Sequence, residues 1–454
     1  MEFSDLSQDL VDKILVSLTD FKSLAATILT SKHVYDVFQT RPKSIVAAVA
    51  CNVVGHADVL PAAVRMVRAY QDSNDPESDE DTDEDDDYDE EENEERPEDE
   101  QCGPPPPEDD VMRMSLTRTQ AESLVDHAPI LQELENFFSW MHKDRMSSAS
   151  MLAEDESVSF RRAMYRLWLY RKLFKHPRYF FNLQQPDDEQ YRKVIRPRLD
   201  FLTAFPLEEL HDIWRAVSFT TELLQWATTV CRDVLLAPDS YRSAIRRIFP
   251  YLQGGRWQPQ LFEAVYASIL EKAEIGAEDR DAATAKAILR KVVGEHDACD
   301  RCHSVQGPKL FGANNWGLLH GHLSPSIFET LLHGRLRYNI WEMMRMYEIL
   351  FAQENGTVSF RSPNYNQVME GLFDTVVPGE GDAPDVWSKD GWYCLECVRT
   401  LFKERLMWYW RAKKEEAGIP ILEDCWYGYN CRTQSHKEQH AKRLNHLCVP
   451  TRGD

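Results

Sequence analysis

No apolar run in the chain approaches the roughly 18 residues that a membrane span needs. The longest, residues 45–51, is seven residues. The opening Met-Glu-Phe-Ser-Asp has no basic start and no apolar stretch, so no signal peptide is read. These absences predict a cytoplasmic or nuclear protein without a membrane partner. In that setting the ten cysteines are expected to be reduced thiols or metal ligands rather than disulfides. Strand signals are scarce. Residues 357–360 and 374–377 are the clearest, enough for one small hairpin. There is no fixed-period repeat. Gly-x-Ser-x-Gly, Gly-x4-Gly-Lys and His-Glu-x-x-His are all missing. With no catalytic constellation, the chain is expected not to be an enzyme.

Charge is abundant but confined. The 454 residues carry a net charge of −23. Residues 72–110 hold 23 Asp and Glu against one Arg, a net of −22, so the remainder is nearly neutral. That stretch, with Pro104 to Pro107 near its end, has too few apolar residues to offset chain entropy and is expected to be disordered. Ser78 and Thr82, each with Asp three residues on, fit acidophilic phosphorylation. Phosphate there would add little to a segment already this acidic.

The rest is helical in pattern. Leu10, Ile14 and Leu18 recur every fourth residue with Val11 and Leu15 beside them, an apolar stripe on one helix. Ser7 can cap its start and Asp20 can cap a second helix bearing Leu24 and Ile28. A short third helix carries Val34, Tyr35, Val37 and Phe38. Below about 40 residues a core seldom suffices alone, so either the rest of the chain or a partner must cover the surplus apolar face. Stripes continue through residues 42–70. Further helices are predicted to start after Pro129 and over 163–173, 208–234, 240–249, 260–273 and 282–293, with Pro197, Pro206, Pro238 and Pro250 as breaks.

The order of the first residues resembles an F-box. Leu6, the Asp9-Leu10 pair, Ile14 and Leu18 match its opening, although Ser7 stands where the family has Pro. Ser31, Lys32, Tyr35 and Phe38 match the fungal-type continuation. The resemblance covers about a tenth of the chain. It implies a Skp-type adaptor as partner, a cullin scaffold beyond it, and a body that recruits a protein substrate for ubiquitination. Leu6, Leu10, Ile14, Leu18 and Leu24 would bear on the adaptor. The cysteine pairs do not follow RING spacing, so the chain is not expected to recruit a ubiquitin-conjugating enzyme itself.

Two Cys-x-x-Cys pairs, Cys299/Cys302 and Cys394/Cys397, can supply four thiolates to a tetrahedral structural zinc. The 91 residues between them make the site a staple rather than a local ribbon; two unrelated thiol pairs are the other reading. Cys299 to His303 also spells the c-type haem motif, which the lack of an export signal disfavours, and His303 is a substitute ligand. Near the C-terminus, three Cys and three His fall within 24 residues. Cys425, Tyr427, Gly428, Cys431, His440 and His446 resemble a poly(ADP-ribose)-binding zinc finger. Eight residues separate Cys431 from His440, one or two more than in that family. Cys425, Cys431, His440 and His446 would be the ligands, with His436 and Cys448 as competitors. The resemblance implies that Tyr427, Tyr429 and Arg432 would stack on adenine and hold phosphate. A structural clip is the plainer reading. ADP-ribose or nucleic-acid recognition by this motif is the alternative function.

Residues 160–181 mix seven Arg and Lys with aromatics. Such a helix is more often core with arginine stems laid over it than a nucleic-acid surface, so nucleic acid is not an expected partner. The expected architecture is mainly α. It comprises an F-box (1–45), connecting helices (46–71), a disordered acidic linker (72–110), a helical body (111–295), a zinc-stapled region (296–415) and the Cys/His motif (418–454).

Overall fold

The computed structural model describes residues 6–71, 106–147, 149–174, 188–231, 259–323, 325–350, 364–378 and 387–452. The chain is mainly helical. Among the described residues the β-structure is limited to three isolated bridges. No described helix is long and apolar enough to cross a membrane. The fold divides into two compact units. One comprises Met1–Glu135, Ala153–Ser218 and Arg247–Ile288; the other comprises Asn136–Leu152, Phe219–Arg246 and Leu289–Asp454.

The first unit begins with α1 (Gln8–Ser17), α2 (Phe21–Ile28), α3 (Lys32–Thr40) and α4 (Pro42–Val54). Val11, Leu15, Leu24, Val34, Val37, Ile45 and Val49 form their common core. Asp20 caps α2, accepting from the Ser23 amide at 2.7 Å, and Ser31 caps α3, accepting from Val34 at 3.2 Å. Ser7 sits at the N-cap of α1, but its hydroxyl makes no capping bond; its carbonyl takes the Val11 amide instead. Gly55 ends α4 at φ 101°, a left-handed conformation that glycine adopts without strain.

Next come α5 (Leu60–Gln71), α6 (Glu108–Val111), α7 (Arg118–His142) and α8 (Glu154–Leu173), then α9 (Asp188–Leu202), α10 (Leu207–Cys231), α11 (Pro259–Lys272) and α12 (Ala277–Lys286). Helix α8 lies deep in the core, with Phe160, Tyr165, Leu167 and Leu169 fully buried. Its arginines are used internally. Arg161 donates to Glu135 at 2.5 Å and to the Val54 carbonyl at 2.9 Å. Arg166 holds Glu108 at 2.8 and 2.9 Å and Glu209 at 2.9 Å.

Several expectations change. Glu108 lies within the stretch read as linker, yet it begins α6 and pairs with Arg166, so the ordered chain resumes before residue 111. The acidic count missed this because one carboxylate with a buried guanidinium partner behaves unlike its neighbours. Residues 72–105 themselves lie outside the described residues. Pro129 and Pro197 sit inside α7 and α9 rather than at breaks. Each removes one helical donor, but flanking side chains such as Leu124, Ile130 and Leu131, or Val194 and Leu202, are buried, and that packing outweighs the loss. The helix placed over 282–293 occurs earlier, as α12. Residues 374–377 end a helix rather than form a strand. The other half of the expected hairpin, 357–360, and the helix over 240–249 lie outside the described residues.

The second unit contains α13 (Pro325–Leu331), α14 (Ile340–Leu350), α15 (Tyr365–Asp374), α16 (Leu395–Glu416) and α17 (Glu438–Arg443). Phe328 meets Phe402 edge-on at 5.0 Å. Glu342 takes Lys414 at 2.8 Å and the Trp410 indole N–H at 2.7 Å, a part-buried ion pair joining α14 to α16.

Candidate metal centres

The turn after residue 298 is a tight loop. The Cys299 amide donates to Ser304 at 2.9 Å and the His303 amide to Cys299 at 2.8 Å, with His303 left-handed at φ 58°. The loop presents Cys299 and Cys302 together. Cys394 is the N-cap of α16 and Cys397 lies in its first turn. Backbone bonds bring the two segments together. Phe311 and Tyr393 exchange two bonds of 2.8 Å, and the Asp300 amide reaches Trp392 at 2.9 Å. All four sulfurs then lie within 4.8 Å of one another. A tetrahedral zinc with bonds of about 2.3 Å separates its sulfurs by about 3.8 Å, and Cys302 and Cys394 stand 3.8 Å apart.

Environment distinguishes the thiols. Cys299, Cys394 and Cys397 are buried and Cys302 is exposed. The Ser304 hydroxyl, 3.0 Å from the Cys302 sulfur, pulls that thiol down to about 6. Burial pushes Cys394 and Cys397 up. A bound cation would reverse that and hold all four as thiolates. Nearby, Arg301 bonds Glu404 at 2.7 Å and lies 4.0 Å over the Trp387 ring.

The second cluster is local. Asn445 donates its amide to Glu423 and accepts from the Cys425 amide, both at 2.8 Å, so Cys425 runs beside His446. Gly428 turns the chain at φ 41°, and a Cβ there would meet the Cys448 carbonyl at 2.2 Å. Helix α17 supplies His440. The ligand atoms of Cys425, Cys431, His440 and His446 all lie within 4.8 Å. His440 Nε2 is 3.7 Å from the Cys425 sulfur and 3.3 Å from that of Cys431, close to the roughly 3.6 Å edge of a zinc tetrahedron with these ligand types. His446 is buried and neither ring nitrogen has a hydrogen-bond partner. A metal on one nitrogen accounts for much of that cost. Burial, with His440 beside it, lowers His446 to about 4, so it is held as the neutral imidazole that ligation requires.

The competitors are settled by position. The Cys448 thiol is buried and donates to the Cys425 and Asn445 carbonyls at 3.6 and 3.5 Å, outside the cluster. His436 and His303 are exposed and belong to neither set. Of the three residues assigned to a ligand, Tyr427 and Arg432 are exposed. Tyr429 is half-buried, its ring 5.2 Å from that of His333. Sequence reading passed over Trp426 and Arg452, both exposed, with the guanidinium 4.0 Å over the indole. A tryptophan directly after a ligand cysteine was the available signal.

On the N-terminal bundle, Leu10 is 49% exposed, and Leu6, Ile14 and Leu18 are half-buried. Leu24 is buried in the core, which corrects its assignment to a partner face: as the sole buried residue of α2 it packs the helix onto its neighbours.

No family model, curated protein or solved structure matches the chain.

Proposed function

We propose that the chain is a non-enzymatic substrate receptor of a Skp–cullin–F-box ubiquitin ligase. The observation that carries this reading is the split on α1. Val11 and Leu15 turn into the bundle while Leu10 and Ile14 stay partly open to solvent, with Leu10 49% exposed, and Leu6 and Leu18 pack along the edge of the core. An apolar row left on a packed helix suits docking into another protein's groove. Receptors of this kind work by proximity, holding a target's lysines near a charged ubiquitin carrier.

In this reading both cysteine clusters hold zinc. Four thiolates, or two thiolates and two imidazoles, are the donor sets of structural sites with no open position for substrate. Zinc would close the staple between the loop at Cys299 and the start of α16, and would fix the C-terminal segment.

The experiment is co-purification with a Skp-type adaptor. Leu10→Asp with Ile14→Asp is expected to abolish it while the second unit keeps its metal. Undiminished co-purification defeats the proposal.

A further inference from the structure

The second unit has a surface that neither the metal ligands nor the N-terminal face uses. Between ligands Cys425 and Cys431, Trp426 is 57% exposed and Tyr427 50% exposed. The Trp426 carbonyl accepts from the amides of Thr451 at 2.8 Å and Arg452 at 3.0 Å. That fixes the Arg452 guanidinium 4.0 Å over the indole. The neighbouring segment repeats the arrangement. The Arg335 amide donates to Tyr429 at 2.8 Å and the Asn339 side chain to Gln434 at 3.2 Å, which lays residues 335–339 alongside the metal-bearing segment. There Tyr338 is 48% exposed with Arg337 4.7 Å over its ring.

The charges are equally distinctive. Arg337, Arg432, Lys437 and Arg452 are exposed, and among the described residues none is in an ion pair, whereas Lys442 nearby is paired with Glu438 at 2.6 Å. Residues 418–452 hold five Lys and Arg against three carboxylates in a chain of net charge −23. Exposed rings beside cations without counter-ions suit a polyanion that also carries flat π-faces. An acidic peptide would satisfy the cations and leave the rings in water.

We propose that this surface binds single-stranded nucleic acid, with bases stacked on Trp426, Tyr427 and Tyr338 and phosphates held by Arg432, Lys437, Arg337 and Arg452. The inference stands apart from the ligase reading. The expectation against nucleic acid concerned residues 160–181, where Arg161, Arg162 and Arg166 are paired with glutamates; that argument does not reach this surface.

The test uses the full chain with zinc bound and fluorescein-labelled 15-nucleotide oligo(A) and oligo(U), followed by anisotropy at low salt. Saturable binding is expected. Trp426→Ala should weaken it about tenfold. Arg432→Ala should lower the slope of log K against log salt by about 0.7. Both substituted side chains are exposed, so zinc content should be unchanged. The proposal is overturned by absence of saturable binding, by binding indifferent to Trp426→Ala, or by equal competition from a polyglutamate peptide of matched charge. The last result would assign the surface to acidic peptides.

Discussion

Leu10 is the most informative residue to change. It lies in the first turn of α1, 49% exposed, while the next residue, Val11, is 1% exposed. Docking would cover the remaining half of its side chain. Full burial of a leucine contributes about 1.5–3 kcal/mol, so the covered half contributes about 1 kcal/mol. Leu10→Ala should therefore weaken adaptor binding about fivefold. Leu10→Asp should do far more, because a carboxylate sealed without a partner costs several kcal/mol, a loss of at least about a hundredfold. The fold should hardly notice, since an acidic residue in the first turn is favoured by the helix dipole. Leu15→Asp is the contrast: it puts the charge into the bundle core and should unfold it. Adaptor affinity by calorimetry, with thermal melts of both variants, separates the outcomes. If Leu10→Asp melts like the parent and still binds the adaptor with parental affinity, the docking face has been misassigned.

Elemental analysis should find two zinc ions per chain; Cys397→Ser and His446→Ala should each reduce the content to one. Removing metal from the second cluster should open residues 418–452 to proteolysis, because zinc contributes on the order of 10–16 kcal/mol to such short segments. His320, half-buried with Nδ1 unpartnered and its ring 4.7 Å from that of Tyr365, is lowered to about 4 by desolvation. The unfolded chain then binds its proton first as pH falls. The destabilisation should start near pH 6.5 and reach about 3 kcal/mol by pH 4, and denaturant titrations of His320→Leu should lack this term. Lys414→Ala leaves the part-buried Glu342 with the Trp410 indole as its remaining donor and should cost about 2 kcal/mol; a melt unchanged from the parent would refute the pairing.

Periodicity made the bundle legible: α1, α2 and α3 occur where Leu10–Leu15, Leu24–Ile28 and Val34–Phe38 placed them, since a 3.6-residue repeat of apolar side chains has few other solutions. It did not reveal which half of a wide stripe faces inward. Leu10 and Ile14 read as strongly as Val11 and Leu15, and only packing by Ile45 and Val49 from α4 decides. Proline misled in α7 and α9 because its local penalty is visible in sequence and the compensating burial is not. The members of the two Cys/His clusters were legible because a short spacing puts two donors within reach of one point, although nothing in the spacing itself joins the Cys299 pair to the Cys394 pair. Long-range partners such as Glu108 with Arg166, 58 positions apart, leave no trace in spacing.

The two candidate metal centres are assembled by different routes, and chain length explains why. Joining Cys302 to Cys394 closes 91 intervening residues, whereas Cys431 and His440 are separated by eight. Closing the longer loop costs about 2 kcal/mol more. Bonds that do not involve the cysteines help meet that cost, with the paired bonds of Phe311 and Tyr393 and those between Asp300 and Trp392 holding the segments together. The second segment is held by bonds of its own, from the amides of Cys425 to Asn445, Asn445 to Glu423, Tyr429 to Cys448 and Thr451 to Trp426. Its His446 is buried among the other donors of the cluster, and a cation on one ring nitrogen would offset part of the cost of burying it. A metal at the first cluster would therefore tie together segments far apart in the chain, while one at the second would join donors within a short segment whose own backbone bonds already bring them together.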